Sequence, residues 1–214
     1  MSEDNVTPFR RQGSPSHQEM ALAAHDQVIL EGGEAEDLPA GTVRLPVRVT
    51  RLEMRSRPTR SVPMPHGRPL GLLRLREVPI AFYRFLFDGV GEGHHWQLDP
   101  HLSDEEIEAN LTSTDCEVYV LYVGGAPAGF FELSVKDRPE AVVVNCFGLL
   151  PHARGRGFAR WFLAEAISAA WAHEPARVRR QTNNYDSPIA LRLYQQMGFE
   201  VTGTRDGYLV VRGE

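Results

Sequence analysis

The stretch "PHARGRGFARWFL" (residues 151–163) puts two glycines and three arginines, Arg154, Arg156 and Arg160, at the junction of two apolar runs. The run before it, "AVVVNCFGLL" (141–150), is too uniformly apolar for a strand with one wet face, so it reads as a central strand. The run after it reads as a long helix over about 156–173. A strand-to-helix turn rich in glycine exposes main-chain N–H groups at a helix start, where unpaired donors and the helix dipole together favour an anion. Gly155 and Gly157 let the backbone come close to a ligand because no Cβ intervenes. Arg154 and Arg156 add charge and the forked geometry that suits phosphate oxygens. The junction therefore reads either as a phosphate-binding loop or as a tight turn whose arginines decorate a solvated face. It lacks the Lys-Ser/Thr pair of a Walker A loop and the GxGxxG pattern of a dinucleotide site.

Outward from this loop the chain alternates clear signals. "VRLPVRVTRLEM" (43–54) places apolar residues at every second position, as a half-buried strand does, and the Pro-rich "RPTRSVPMPHGRP" after it has to be a loop. "VPIAFYRFLFDGVG" reads as a helix closed by glycine, and "LSDEEIEANL" as a second, with Ser103 as N-cap and acids in its first turn. "CEVYVLYVGGAPAGFFELSV" is a hairpin around a glycine-bearing turn. After the central strand and long helix come a strand in "ARVRRQTNN", a helix in "SPIALRLYQQM" stopped by Gly198, and a final hairpin "FEVTGT-RDG-YLVVR". The order predicts an α+β fold: a mixed, mostly antiparallel sheet of six to seven strands flanked by helices, with one parallel step across the long helix.

Composition narrows the class. With 214 residues, 42 % of them hydrophobic, the chain can bury one good core. Residues 1–41 are expected to form an acidic, flexible tail, and 42–214 the folded domain; within the tail, "SHQEMALAAHDQVI" has capping-box spacing and predicts a short helix. Residues 1–40 carry two arginines against eight carboxylates, whereas 151–180 carry six arginines against two glutamates. The net charge of −5 gives no general pull toward nucleic acid or anionic lipid, but the local excess at 151–180 suits a polyphosphate. Cys116 and Cys146 sit in apolar runs without CxxC or ligand spacing, which predicts a reduced, cytoplasmic protein with no metal. No membrane partner is expected, since no stretch reaches the roughly 18 apolar residues of a span.

Two motifs then resemble one family. "RGRGFA" (154–159) is similar to the Arg/Gln-x-x-Gly-x-Gly/Ala pyrophosphate loop of the GNAT superfamily of acyl-CoA N-acyltransferases, through Arg154, Gly157 and Ala159. "ALRLYQQMGF" (190–199) resembles that superfamily's Ala-x-x-Leu-Tyr-x-x-x-Gly-Phe segment, through Ala190, Leu193, Tyr194, Gly198 and Phe199. The likeness runs over about 45–213 in element order, with its specific motifs in 147–199.

The resemblance implies a splayed pair of parallel strands whose wedge admits the pantetheine arm of acetyl-CoA, the expected co-substrate. The main chain of Phe147, Gly148 and Leu149 would pair with the pantetheine amides. Arg154, Gly155, Arg156, Gly157, Phe158 and Ala159 would hold the pyrophosphate. It implies direct attack of an amine on the thioester, with Tyr194 giving a proton to the leaving sulfur. Many members carry a glutamate where this chain has Asn145, so Glu132 in "GFFELSV" is the expected base, with His94 and His95 next; a desolvated carboxylate titrates upward. Ser187 stands where an asparagine is common, with Asn184 just upstream as a further cofactor contact. His94, His95 and Trp96, in "GVGEGHHWQLDPHL", are expected in an acceptor pocket. The function implied is N-acetylation of a small-molecule or protein amine; a homodimer is left open. The alternatives are a non-catalytic acyl-CoA-binding domain, suggested by Asn145, and a nucleotide site using the same loop.

Overall fold

The computed structural model describes residues 29–30, 41–96, 98 and 102–212. In chain order the elements are strands β1 (Ile29–Leu30), β2 (Thr42–Met54) and β3 (Leu70–Arg74), helices α1 (Ile80–Gly91) and α2 (Asp104–Thr112), strands β4 (Cys116–Val123), β5 (Ala126–Ser134) and β6 (Val142–Leu149), helix α3 (Phe158–Trp171), strand β7 (Val178–Asn183), helix α4 (Ala190–Gln196) and strand β8 (Glu200–Arg212). The strands form one eight-stranded sheet in the order β1-β8-β2-β7-β6-β5-β4-β3. Every neighbouring pair is antiparallel except β6 and β7. The mostly antiparallel α+β sheet with one parallel step is thus as expected, with one strand more than the upper count.

Local signals explain the elements that match. Ser103 caps α2: its hydroxyl accepts the Glu106 N–H at 3.2 Å, and the Glu106 carboxylate accepts the Ser103 N–H at 2.8 Å. The β4–β5 hairpin turns at Gly124 and Gly125, whose φ of 62° and 89° fall where only glycine is comfortable. β6 lies between β5 and β7 in mid-sheet, where its apolar run is covered on both faces.

Two expectations are corrected. "FEVTGTRDGYLVVR" is no hairpin: Glu200–Arg212 runs as a single strand along β2, with Gly207 opposite Val47 and Asp206 opposite Arg48. A thirteen-residue partner strand offers more ladder bonds than a local Arg-Asp-Gly turn, and Arg48 Nε donates to Asp206 at 2.7 Å across the pair. The second correction concerns the edges. β3 follows the Pro-rich loop and pairs with β4, and β1, inside the segment expected as a tail, pairs with β8. The short helix expected at "SHQEMALAAHDQVI" lies, up to residue 28, outside the described residues.

The sheet buries a core on each face. On one, α3 lays Trp161, Phe162, Leu163 and Ile167 over Phe131, Val144 and Phe147, with Tyr194 and Leu193 of α4 beside them. On the other, α1 presents Tyr83, Leu86, Phe87 and Val90, the spacing of one helical face, against Val118, Val120 and Phe130, joined by Ile107 and Leu111 of α2. Phe162 is wholly buried and touches Phe131 and Phe147 at ring separations of 5.5 and 5.2 Å. Phe162→Ala should therefore lower the unfolding free energy by about 3–5 kcal/mol, read from urea denaturation; a loss near zero would mean that the α3 layer is not packed as described.

Candidate functional site

β6 and β7 are joined at only three positions, Val142–Val178, Val143–Arg179 and Val144–Arg180, after which the strands part. The cause lies in two residues. Asn145 is the extra residue of a bulge in β6, since Glu132 pairs with Cys146 and Leu133 with Val144. Arg180, 4 % exposed, then turns its guanidinium into the gap: Nη1 donates to the Val144 carbonyl at 2.9 Å and to the Asn145 carbonyl. Those carbonyls have a side-chain donor in place of a β7 amide, so the strands cannot close further along.

A cavity of about 190 Å³ opens at the fork. Phe147, Gly148 and Leu149 form its β6 wall, Leu193 and Tyr194 approach from the α4 side, and Val90, His94 and Trp96 from the α1 side. It thus connects the two faces of the sheet. Gly148 has a structural requirement here, because a Cβ would stand 2.2 Å from Val90 Cγ1. Ala159 and Gly155 link the cavity to the loop at the start of α3.

That loop follows a 3-10 turn (Pro151–Ala153) and ends in Gly157, which caps α3 with φ 81° and ψ 6° and offers no side-chain cap. Gly155 also has positive φ, 70°. Around either glycine the position a Cβ would take has no heavy atom within 4 Å, so their backbone faces open space. Among the described residues no protein acceptor takes the main-chain N–H groups of Gly155 to Ala159. The first turn of α3 therefore keeps its donors, as an anion-binding turn must. Arg156 is exposed beside them. Arg154 has a different place: Nε donates to the Leu149 carbonyl at 3.0 Å and Nη2 to the Val90 carbonyl at 2.9 Å, tying the loop to the C-terminal end of α1, where a cation suits the helix dipole.

The structure brings some of the expected residues together and separates others. Tyr194 lines the cavity, is 2 % exposed and lies edge-on to Phe147 at 6.3 Å, with the Arg180 guanidinium 5.5 Å from its ring centre. Burial pushes its hydroxyl up from the ordinary tyrosine range, and neighbouring Arg180 pulls partly back. Ser187, His94 and Trp96 also line the cavity. Asn184 does not: its side-chain carbonyl accepts the Arg48 N–H at 2.6 Å, fastening the segment after β7 to β2. His95 is exposed and packs edge-on against Tyr185 at 5.2 Å.

Glu132 is 1 % exposed and faces α1: Oε2 accepts the Tyr83 hydroxyl and Oε1 the Asn145 amide, both at 3.0 Å. Burial, with Glu132 next to it, keeps the Tyr83 hydroxyl protonated far above its usual range. Glu132 is not among the residues lining the cavity. It reaches the fork indirectly, through Asn145, whose carbonyl takes Arg180.

Two residues of the site carried no signal in the sequence. Arg180 sits in a run of arginines and is distinguished only by pointing inward. Asp186 lines the cavity with both oxygens engaged, Oδ1 by Trp96 Nε1 at 3.0 Å and Oδ2 by the Thr182 hydroxyl at 2.6 Å and the Asn183 N–H at 3.3 Å. Among the described residues no cluster of His, Cys, Asp and Glu is placed to hold a metal, and no helix is long and apolar enough to cross a membrane.

Comparison with known proteins agrees with this geometry. Residues 114–201, from β4 to the start of β8, match the family model for the acetyltransferase (GNAT) domain. A structure from Novosphingobium aromaticivorans assigned to the GNAT family superposes with a TM-score of 0.55 at 18 % identity, covering 85 % of this chain and 72 % of its own. A GCN5-related N-acetyltransferase from Kribbella flavida gives 0.53 at 15 % identity, over 81 % of this chain and 61 % of that one. A tandem GNAT protein from the clavulanic acid biosynthesis pathway, solved without AcCoA, gives 0.55 at 14 %, over 86 % and 61 %. Among curated proteins none matches the sequence. The fold and the 114–201 match together support acyl transfer as the class of activity.

Replacing Arg180 with Met should leave the Val144 and Asn145 carbonyls without their donor and destabilise the protein by about 1–3 kcal/mol for each group left unpaired. Urea denaturation of Arg180→Met checks this, and an unchanged midpoint would show that the fork does not depend on the guanidinium.

Proposed function

We propose that the protein is an N-acetyltransferase that uses acetyl-CoA and acetylates an amine by direct attack. The observation that carries this reading is the fork between β6 and β7, which opens beside a helix start with unused N–H donors. A long ligand with a diphosphate at one end and an amide-bearing arm fits these two features at once. The diphosphate rests on the N–H groups of Gly155 to Ala159, next to Arg156. The arm lies along Phe147, Gly148 and Leu149, whose β7 side is unpaired, as an added strand would. Ser187 offers a hydroxyl to it, and Arg154 holds the loop in place from behind.

In the cavity the amine nitrogen attacks the thioester carbon, the C–N bond forms as the C–S bond breaks, and Tyr194 gives its proton to the sulfur. Burial suits Tyr194 to that role, because it keeps the hydroxyl protonated through the physiological range. Arg180, beside it, stabilises the phenolate left after the transfer. His94 and Trp96 form the acceptor wall, Trp96 fixed by Asp186. Glu132 enters this reading as the group that holds Asn145 in the bulge. Cytoplasmic location is our reading of the two cysteines, which form no disulfide.

A thiol-release assay with acetyl-CoA over a panel of L-amino acids, spermidine, tyramine and a lysine-containing peptide tests the proposal. Turnover is expected with at least one amine, with Tyr194→Phe losing about 10²- to 10⁴-fold in kcat while binding CoA as the wild type does. Tight CoA binding without turnover of any amine would instead favour a non-catalytic acyl-CoA-binding domain, and tighter binding of ATP than of CoA a nucleotide site.

A further inference from the structure

The acyl-transfer reading leaves one role open, the group that removes the amine's proton, and the cavity has a geometry that selects it. Asp186 has both oxygens engaged by Trp96, Thr182 and the Asn183 N–H. Arg180 and Arg154 carry guanidinium groups, which do not give up their protons in proteins. Tyr194 is held protonated by burial. Glu132 faces away, under α1, with Tyr83 and Asn145 on its oxygens.

His94 differs from all of these. Its Nδ1 lies 3.1 Å from the main-chain carbonyl of Tyr185, which can only accept. Nδ1 must therefore carry the hydrogen, and in the neutral ring the lone pair is on Nε2. Among the described residues nothing donates to Nε2, and the ring lines the cavity with Gly148 and Tyr194.

The segment holding this ring is fixed. The His94 N–H bonds to the Gly91 carbonyl at 2.8 Å, closing the end of α1. Two residues on, Trp96 packs on Phe87 at 5.4 Å and is tied to Asp186. It sits so close to Gly91 that a Cβ there would be 2.2 Å from Trp96 Cβ. The β7–α4 segment clamps the other side through the Tyr185 carbonyl. A partly buried imidazole with a dictated tautomer, one nitrogen anchored and the ring on the wall of a reaction cavity, is the arrangement a general base needs.

We propose that His94 is the general base of the acetyl transfer. This rests on the acyl-transfer reading above. The amine arrives as an ammonium ion, and Nε2 takes one of its protons and passes it to solvent, leaving the nitrogen lone pair free to attack. As C–N forms and C–S breaks, the second proton leaves the nitrogen and replaces the one Tyr194 has given to sulfur. One proton is released per turnover, and the products are the N-acetyl amine and CoA thiol.

The test uses the full chain with acetyl-CoA and the best acceptor from the amine panel, and compares the wild type, His94→Ala and His94→Gln. Both variants should lose about 10²- to 10⁴-fold in kcat with acetyl-CoA affinity unchanged by calorimetry, which also reports folding. Added imidazole should restore turnover to His94→Ala, and 4-methylimidazole, a stronger base, should restore more. It should not rescue His94→Gln, in which the space is filled. Near-wild-type kcat in either variant would overturn the proposal. So would a loss that no imidazole rescues while acetyl-CoA still binds, since that marks a purely positioning residue. If the wild type turns over none of the amines, the acyl-transfer reading fails first and takes this inference with it.

Discussion

A buried guanidinium holds two strands apart. Arg180 fills the place where β6 and β7 would otherwise continue their ladder, and its bonds to the Val144 and Asn145 carbonyls remove the acceptors that β7 amides would need. Charge burial is costly unless the group is bonded, and here Nη1 donates to two carbonyls and the guanidinium lies against the Tyr194 ring, while Nε is left without a partner among the described residues. Around it the polar contacts run in sequence across the sheet: Tyr83 to Glu132, Glu132 to Asn145, Asn145 to Arg180, and Arg180 to the ring of Tyr194. The series spans both cores, from Tyr83 on one face of the sheet to Tyr194 on the other.

The loop before α3 complements the fork. Positive φ at Gly155 and Gly157 turns the chain so that the first N–H groups of α3 face open space, and Arg154 pins the turn to the end of α1. The loop is thereby rigid at its base and open at its tip. On the far side Trp96, Asp186 and the Tyr185 carbonyl lock the segment after α1 to the segment after β7. Binding surfaces built on such cross-links need little reorganisation when a ligand arrives.

What the sequence made legible was local. The glycine-bearing junction, the N-cap at Ser103, the hairpin at Gly124–Gly125 and the apolar β6 depend on neighbours a few residues away, and each is found where it was expected. The final hairpin misled because Arg205-Asp206-Gly207 is a good turn in isolation. Only the distant β2, with Arg48 opposite Asp206, makes it a continuous strand. β1 and β3 are edge strands whose pairing is likewise non-local. In the site, Tyr194 and Gly148 were legible through motif and spacing. Arg180 was not, because an inward arginine looks in sequence like an outward one. The direction of Glu132 and the anchoring of Arg154 depend on α1, more than forty residues upstream of either, and no pattern within their own segments encodes it.

The account depends on the N–H groups from Gly155 to Ala159 being open to a diphosphate at the fork. Amide hydrogen exchange measured with and without CoA tests that most directly. These five amides should exchange rapidly in the free protein and become protected when CoA is added, while the β2–β8 ladder is unaffected. Protection already present in the free protein, or none gained on saturation with CoA, would contradict the account.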